Sequence, residues 1–230
     1  MKKLFPTMMI MMAVVGPLCA EIETTVGADL VSEYIWRGNK CGAAALQPSL
    51  GLSAAGLDLL LWGSVGIANP SDVKEFDITL SYSVGGATAG ITDYWFSAGD
   101  EPNGRYFRYK EGATNHIFEA FAGYDFCFGS ICWYTFFAGA DFLASSDRAF
   151  SSYCEVSAPF SIGGVDWTAS LGMAPFESTL YGTEGFAVTN ISVTAIKPID
   201  ITERFSLPIS AGLRVNPYTE MAYFVFGVSF

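Results

Sequence analysis

The chain has 230 residues, 51% of them hydrophobic, and a formal net charge of −11. Such acidity argues against nucleic-acid binding, which needs a basic surface, and against docking on anionic lipid by charge alone. After residue 20 no apolar run approaches the roughly 18 residues that a membrane-spanning helix needs. This composition is typical either of a large soluble core or of a membrane barrel whose hydrophobic residues alternate with polar ones.

Residues 1–20 have the pattern of a secretory signal peptide. Lys2 and Lys3 precede an apolar stretch at residues 4–18, and Ala20 lies just before the first acidic residues. We therefore predict cleavage after Ala20, which leaves residues 21–230 as a single domain. Without the two lysines, ten basic residues remain against 23 acidic ones, so the net charge of this domain is −13.

The remaining chain alternates between apolar and polar residues in short segments. The clearest example is residues 75–84, where Phe76, Ile78 and Leu80 alternate with Asp77 and Thr79. A period of two predicts strands whose two faces meet different environments. Twelve such strands are predicted, at residues 26–37, 46–53, 57–68, 75–84, 87–96, 115–126, 131–142, 151–162, 165–173, 185–195, 204–215 and 221–230.

These strands predict an all-β fold, a single antiparallel up-and-down transmembrane β-barrel of twelve strands. Minimal turns are predicted at residues 55–56, 85–86, 129–130 and 163–164, whereas the connections after the first, fifth, seventh and ninth strands are longer. Short turns at one rim and longer loops at the other are typical of bacterial outer-membrane barrels. A turn is also predicted around residues 197–200, and the loop at residues 97–114 is long enough to fold over or into the mouth.

Three features favour lipid contact for the apolar faces over a secreted β-sandwich. First, the lysines of the mature chain fall in connectors or at strand edges. Second, Tyr34, Trp36, Tyr82 and Phe230 lie near strand ends, where aromatic girdles occur. Third, the signal peptide agrees with export to the envelope, as does Phe230, which resembles the terminal aromatic residue of the outer-membrane assembly signal. We therefore predict a location in the bacterial outer membrane, with its lipid, its lipopolysaccharide and the barrel-assembly machinery as partners.

The sequence GADLVSEYIWRG at residues 27–38 resembles the opening strand of the TorF family of small outer-membrane porins. That family begins with a Val-Ser-x-Tyr pattern followed by an aromatic residue and Arg-Gly. The resemblance implies an outer-membrane barrel and a porin, and it implies no particular substrate.

Ionisable residues on the polar faces would point into the barrel. Acidic rings favour cations, so we predict a narrow pore for small solutes that prefers cations or neutral molecules. The alternative is a plugged barrel whose acidic groups pair with arginines and hydroxyls to fill the interior. The predicted pore-lining residues are Asp29, Glu33, Arg37, Glu75, Asp77, Glu119, Asp125, Glu155, Asp166 and Arg214.

Two cysteines flank a predicted two-residue turn. If Gly129 and Ser130 form that turn, Cys127 lies directly opposite Cys132, within disulfide range. Because the periplasm is oxidising, we predict a disulfide between them. Cys41 and Cys154 are left unpaired. The cysteines lack the spacing of zinc ligands, so we predict neither a metal site nor a cofactor.

The chain has one histidine, His116, at the start of a predicted strand beside a polar loop. Outer-membrane lipid hydrolases use a histidine on the barrel, so an enzyme is a second hypothesis. A lone histidine in this position is expected to be solvated, and we predict no catalytic residues. A third hypothesis is a structural or adhesive barrel that transports nothing.

Overall fold

The computed structural model describes residues 21–69, 72–97, 105–110 and 112–230; the predicted signal peptide and most of the 97–104 segment lie outside this set. Within the described residues no helix is long and apolar enough to cross a lipid bilayer. The strands are β1 (Glu23–Val31), β2 (Tyr34–Trp36), β3 (Asn39–Gly42), β4 (Ala45–Ala54), β5 (Leu57–Gly66), β6 (Glu75–Val84), β7 (Ala87–Phe96), β8 (His116–Phe126), β9 (Gly129–Gly139), β10 (Ser152–Ile162), β11 (Val165–Ala174), β12 (Ala187–Thr202), β13 (Phe205–Asn216) and β14 (Met221–Ser229).

Twelve of these strands, β1 and β4–β14, form a closed antiparallel barrel in which each strand pairs with its neighbours in chain order. The first and last strands close the barrel, with Asp29 opposite Ser229 and Val31 opposite Gly227. The predicted twelve-stranded up-and-down barrel is thus confirmed. Closure gives every wall strand a partner on both sides.

The alternation in the sequence separates two faces of the wall. In β6, Leu80 and Tyr82 are 43% and 52% exposed on the outer face, whereas Asp77 on the inner face is 7% exposed. The inner face carries hydroxyl pairs between neighbouring strands, such as Thr79 and Thr92, whose oxygens are 2.9 Å apart. Apolar side chains therefore point away from the barrel and polar ones point into it.

The connections differ at the two ends of the barrel. Two-residue turns at 55–56, 85–86, 127–128, 163–164 and 203–204 define one end, which we call the turn end. The opposite end, the loop end, carries the longer segments 32–44, 67–74, 97–115, 140–151 and 175–186. The buried apolar core lies inside the barrel at the loop end, where Ile117, Phe136, Tyr153, Ala174 and Tyr181 pack together.

The prediction of one continuous strand over residues 26–37 is wrong in its second half. The wall strand β1 ends at Val31, and β2 and β3 pair with each other as a separate two-stranded hairpin. We call residues 32–44 the inner hairpin. Its turn is Arg37-Gly38, with φ angles of 49° and 84°. A Cβ on Gly38 would lie 1.7 Å from the carbonyl oxygen of Thr189 in β12, so only glycine fits where the tip meets the wall.

The predicted turn around residues 197–200 is also wrong. β12 continues to Thr202 and its turn lies at residues 203–204. Pro198 lies opposite Pro208 of β13. At this point β12 has already passed Asp166, its last partner in β11, and pairs on one side only. Proline is tolerated there because an edge position needs no second ladder hydrogen bond.

The predicted disulfide rests on a turn that is displaced by two residues. The turn is Cys127-Phe128, which places Phe126 opposite Gly129 and Cys132 opposite Gly123. Cys132 is the fourth residue after the turn and lies three residues, roughly 10 Å, along the strand from Gly129, and both cysteines are free thiols. A disulfide needs Cα atoms less than about 7 Å apart, so the Cys127–Cys132 prediction is contradicted.

This register makes a prediction about thiol content. Alkylation of unreduced, unfolded protein is expected to modify both Cys127 and Cys132, because neither thiol lies opposite the other in the sheet. Intact mass before and after reduction measures it. A mass gain of two hydrogen atoms on reduction, mapped to the peptide that holds both residues, would contradict the register.

Candidate functional site

The inner hairpin is joined to the barrel wall by one buried ion pair. Arg37 at its tip donates from Nη1 to Glu119 Oε1 over 2.6 Å and from Nη2 to Oε2 over 2.9 Å. The side chains are 9% and 1% exposed. A bidentate guanidinium–carboxylate pair fixes orientation as well as distance, so it sets where the tip sits in the interior.

Aromatic rings surround the guanidinium of Arg37. Its Cζ atom lies 4.1 Å from the ring centroid of Tyr134, 4.5 Å from Trp36 and 4.7 Å from Tyr153. Ring faces attract a cation electrostatically, most strongly where water is excluded. We call Arg37, Glu119 and these three rings the arginine clasp.

Two further tyrosines complete the hydrogen bonds of this ion pair. Arg37 Nη1 also donates to the hydroxyl of Tyr181 over 2.5 Å, and the hydroxyl of Tyr94 donates to Glu119 Oε2 over 2.8 Å. A buried charge is tolerated only when it is paired and hydrogen-bonded. The partners come from β7 and from the 175–186 loop, so the clasp connects distant parts of the chain.

Local irregularities in the wall aim these side chains inward. The register between β8 and β9 shifts at Phe118 and Glu119, leaving Phe137 as an extra residue on β9. Such a bulge bends the strand and reorients a side chain. In β11, a Cβ at Gly172 would lie 1.8 Å from the Tyr153 hydroxyl oxygen. The absent side chain thus provides the space that Tyr153 occupies beside Arg37.

A second set of contacts holds the hairpin at its base and turn. Asn216 at the end of β13 donates through Nδ2 to the carbonyl of Gly38 and to Oδ1 of Asn39, at 3.2 and 3.1 Å. Lys40 Nζ contacts Glu33 Oε1 at 2.5 Å near the mouth, with side chains 43% and 29% exposed. The Lys40 pair is open to solvent, unlike the pair of Arg37.

The structure divides the predicted pore-lining residues into two groups. Glu33 and Arg37 belong to the inner hairpin and not to the wall. Glu155 accepts hydrogen bonds from Tyr153 and Asn190, and Asp166 accepts one from Ser161. Those on the inner-facing register of wall strands are Asp29, Glu75, Asp77, Glu119, Asp125, Glu155, Asp166 and Arg214.

Sequence reasoning missed the tyrosines of the site. Three of them lie two residues away from an inward-facing residue on the same strand, so the alternation in the sequence could have placed them inside the barrel. They are Tyr94 near Thr92, Tyr134 near Cys132, and Tyr153 near Glu155. Tyr181 lies in a loop, where no periodicity could have indicated it. Tyr34 and Trp36 were expected in an interfacial girdle, but they lie in the inner hairpin and their rings pack against Trp62 and Tyr94.

The expectation that His116 is solvated is wrong. His116 is on the outer register of β8, opposite Trp95, and is fully buried by the 105–110 segment. Its Nδ1 lies 2.7 Å from Asp93 Oδ1 and its Nε2 lies 2.5 Å from the carbonyl oxygen of Tyr106. The ring of Tyr109 stacks on it at 4.2 Å. Both nitrogens face oxygen acceptors, so in this conformation neither is left to act as a base.

No group of three or more metal-ligating side chains occurs among the residues described. Models of known protein families give no match to this chain. A search of the curated proteins likewise finds no relative. The function must therefore be argued from the geometry.

The arginine clasp predicts that removing two different charges from the inner hairpin will change the free energy of unfolding by very different amounts. Arg37→Gln leaves Glu119 buried without a counter-charge, and we expect it to lower the free energy of unfolding by roughly 3–5 kcal/mol. Lys40→Gln is the matched control and should have no measurable effect, because exposed pairs contribute little. Urea titration in detergent micelles, followed by tryptophan fluorescence, measures both variants.

The double variant Arg37→Gln/Glu119→Gln should lose less than Arg37→Gln alone, because it leaves no uncompensated charge. Equal stabilities of the Arg37 and Lys40 variants would contradict the assignment of the clasp.

The contacts of His116 predict that it holds the 105–110 segment against the outer wall. In His116→Ala, trypsin should cleave after Arg105, Arg108 or Lys110 roughly tenfold faster, because a lost bond to a buried partner is worth about 1–3 kcal/mol. Phe126→Ala, on the outer face at the other end of β8, is the control. Identical cleavage rates in both variants would show that the segment is held by other contacts.

Proposed function

We propose that this protein is an outer-membrane channel for small solutes, with a preference for cations, whose loop end is closed in the present conformation by the inner hairpin. The proposal rests on one observation above all, a closed twelve-stranded wall with apolar side chains exposed outside and polar ones enclosed inside. Two further observations concern the interior and the rim.

The outer face carries more exposed apolar surface than a soluble monomer tolerates. Phe224 and Phe226 in β14 are 59% and 50% exposed, and Leu50 and Leu52 in β4 are 37% and 38% exposed. Soluble monomers rarely expose contiguous apolar patches larger than a few hundred Å². A band of this kind around a barrel suits acyl chains.

Exposed aromatic residues line the turn end of this outer face. Their rings are exposed and several stack on one another, such as Phe160 on Trp167 at 6.2 Å and Phe126 on Phe128 at 5.6 Å. Aromatic girdles flank the apolar band where a barrel meets the headgroups. The exposed members near the turns are Tyr82, Tyr124, Phe126, Phe128, Phe160 and Phe205.

The interior supports a path that is open at the turn end and blocked at the loop end. Asp125 and Asp166 are exposed on the inner register near the turns, whereas Glu75, Asp77 and Glu119 near the loops are buried. Acidic side chains along a lumen favour cations. The arginine clasp holds the obstruction in place, so conduction requires displacement of the inner hairpin.

The same clasp favours a second candidate, a permanently closed barrel with a structural or adhesive role. The two candidates differ in whether the hairpin leaves its site. A hydrolase is not favoured, because the ring nitrogens of His116 are both engaged.

The TorF resemblance, the predicted signal peptide and the aromatic residue Phe230 support the proposal of an outer-membrane location. Phe230 pairs its backbone with Ala28 across the closure, with N–H···O distances of 3.0 and 3.3 Å, and its ring is 65% exposed. This placement leaves the terminal ring accessible to the barrel-assembly machinery. Lipid and lipopolysaccharide are the proposed partners of the outer face.

Lipid contact predicts a depth-dependent cost for charge on the outer face. Leu80→Arg, near the middle of β6, should lower stability in phosphatidylethanolamine/phosphatidylglycerol vesicles by roughly 2–4 kcal/mol. Val84→Arg, beside the turn, is the control and should cost about 0–1 kcal/mol. Reversible urea unfolding in the vesicles measures both. Equal costs, or a wild-type protein that stays monomeric in water without detergent, would contradict lipid contact.

Planar-bilayer recording tests the channel. Wild-type protein should conduct rarely, and Arg37→Gln should raise the fraction of time spent open because the clasp is broken. In a KCl gradient, Asp29→Asn/Asp77→Asn should shift the reversal potential toward zero, whereas Glu203→Gln in the β12–β13 turn should not. Absence of current in every variant would establish the permanently closed barrel.

A further inference from the structure

A cavity of about 220 Å³ lies at the loop end, between the inner hairpin and the wall. The hairpin contributes Tyr34 and Trp36 to its lining, and the wall contributes Tyr94, Phe96 and Phe136. The rings of Trp36, Tyr94 and Phe136 pack on one another at centroid distances of 5.6 to 6.3 Å. Aromatic rings therefore form a large part of the cavity wall, beside Ile117 and Leu180 and the polar residues of the inner hairpin.

One buried carboxylate opens onto this cavity. Glu75 lines it and is 7% exposed, and Asp77 lies two residues further along the same face of β6, also 7% exposed. Asp77 Oδ1 is buried without a hydrogen-bond partner. Among the described residues neither carboxylate has an ion pair. A buried carboxylate costs free energy unless it is paired or protonated, so a bound cation beside Glu75 would stabilise its ionised form.

The two cations of the inner hairpin, Lys40 and Arg37, are paired with other carboxylates. The ammonium of Lys40, which also lines the cavity, contacts Glu33 at 2.5 Å. Arg37 is neutralised by Glu119 in the clasp. The space beside Glu75 thus combines a carboxyl group that has no ion pair among the described residues with aromatic rings, and aromatic rings are what sites for alkylated ammonium groups use.

We propose that this cavity binds a small organic cation, an ammonium that carries methyl or other apolar groups, with its charge at Glu75 and its substituents against the aromatic walls. A hydrated inorganic ion would match the carboxylate but gain nothing from the rings. The claim that such a cation is the solute of the channel rests on the proposed function. The claim that the cavity binds it does not, because binding can be measured without conduction.

The test is the equilibrium binding of choline to the refolded mature protein, measured by isothermal titration calorimetry. The detergent must have a sugar headgroup, because phosphocholine or amine-oxide headgroups would compete for the site. The reference ligand is 3,3-dimethyl-1-butanol, which has the shape of choline without its charge. Choline should bind at least about tenfold more tightly than this isostere.

Two variants locate the site. Glu75→Gln should abolish the preference for choline over the isostere, and Glu203→Gln, which removes the same charge in the β12–β13 turn, should preserve it. Equal binding of both ligands to wild-type protein would overturn the proposal without requiring any variant to fold. Equally tight binding of K⁺ would also overturn it, because the aromatic walls would then play no part. Neither result depends on whether the barrel conducts.

Discussion

The interior of this barrel depends on the ion pair between Arg37 and Glu119. This contact holds the inner hairpin against the far wall. It is buried, and the rings of Trp36, Tyr134 and Tyr153 surround the guanidinium. A guanidinium suits this position because it remains charged, donates in a plane and stacks on aromatic faces. The wall supplies the acceptor by means of a bulge at Glu119 and the space for Tyr153 by means of Gly172.

This clasp gives the barrel two unlike halves. At the loop end, the hairpin, the apolar core and the clasp fill the interior, and the cavity at Glu75 is the space left between them. Toward the turn end, the inner face carries hydroxyls and exposed acids such as Asp125 and Asp166. The outer face is apolar over both halves. In the proposed channel, regulation of access would act on the inner hairpin, because the hairpin fills the loop end of the interior.

The sequence predicted the wall well because the wall obeys a single rule. Alternation identifies β6 to its exact ends, Glu75–Val84, and a two-residue glycine turn follows it. The same rule failed where the alternating pattern continued after the chain had left the wall, as at Tyr34 and Trp36. It also failed where turn residues misled, since Gly129-Ser130 is a stronger turn signal than the true turn Cys127-Phe128. The clasp could be predicted only in part, because Arg37 and Glu119 are 82 residues apart and their meeting depends on the tertiary fold.

The most direct test of this account is a nuclear magnetic resonance measurement on the refolded protein in micelles, labelled with nitrogen-15 at arginine. The account predicts that the guanidinium protons of Arg37 exchange slowly with water and show nuclear Overhauser effects to the ring protons of Tyr134 and Tyr153. A fast-exchanging Arg37 signal without such effects would mean that the hairpin lies outside the barrel. The closed mouth, the clasp and the cavity would then be wrong together.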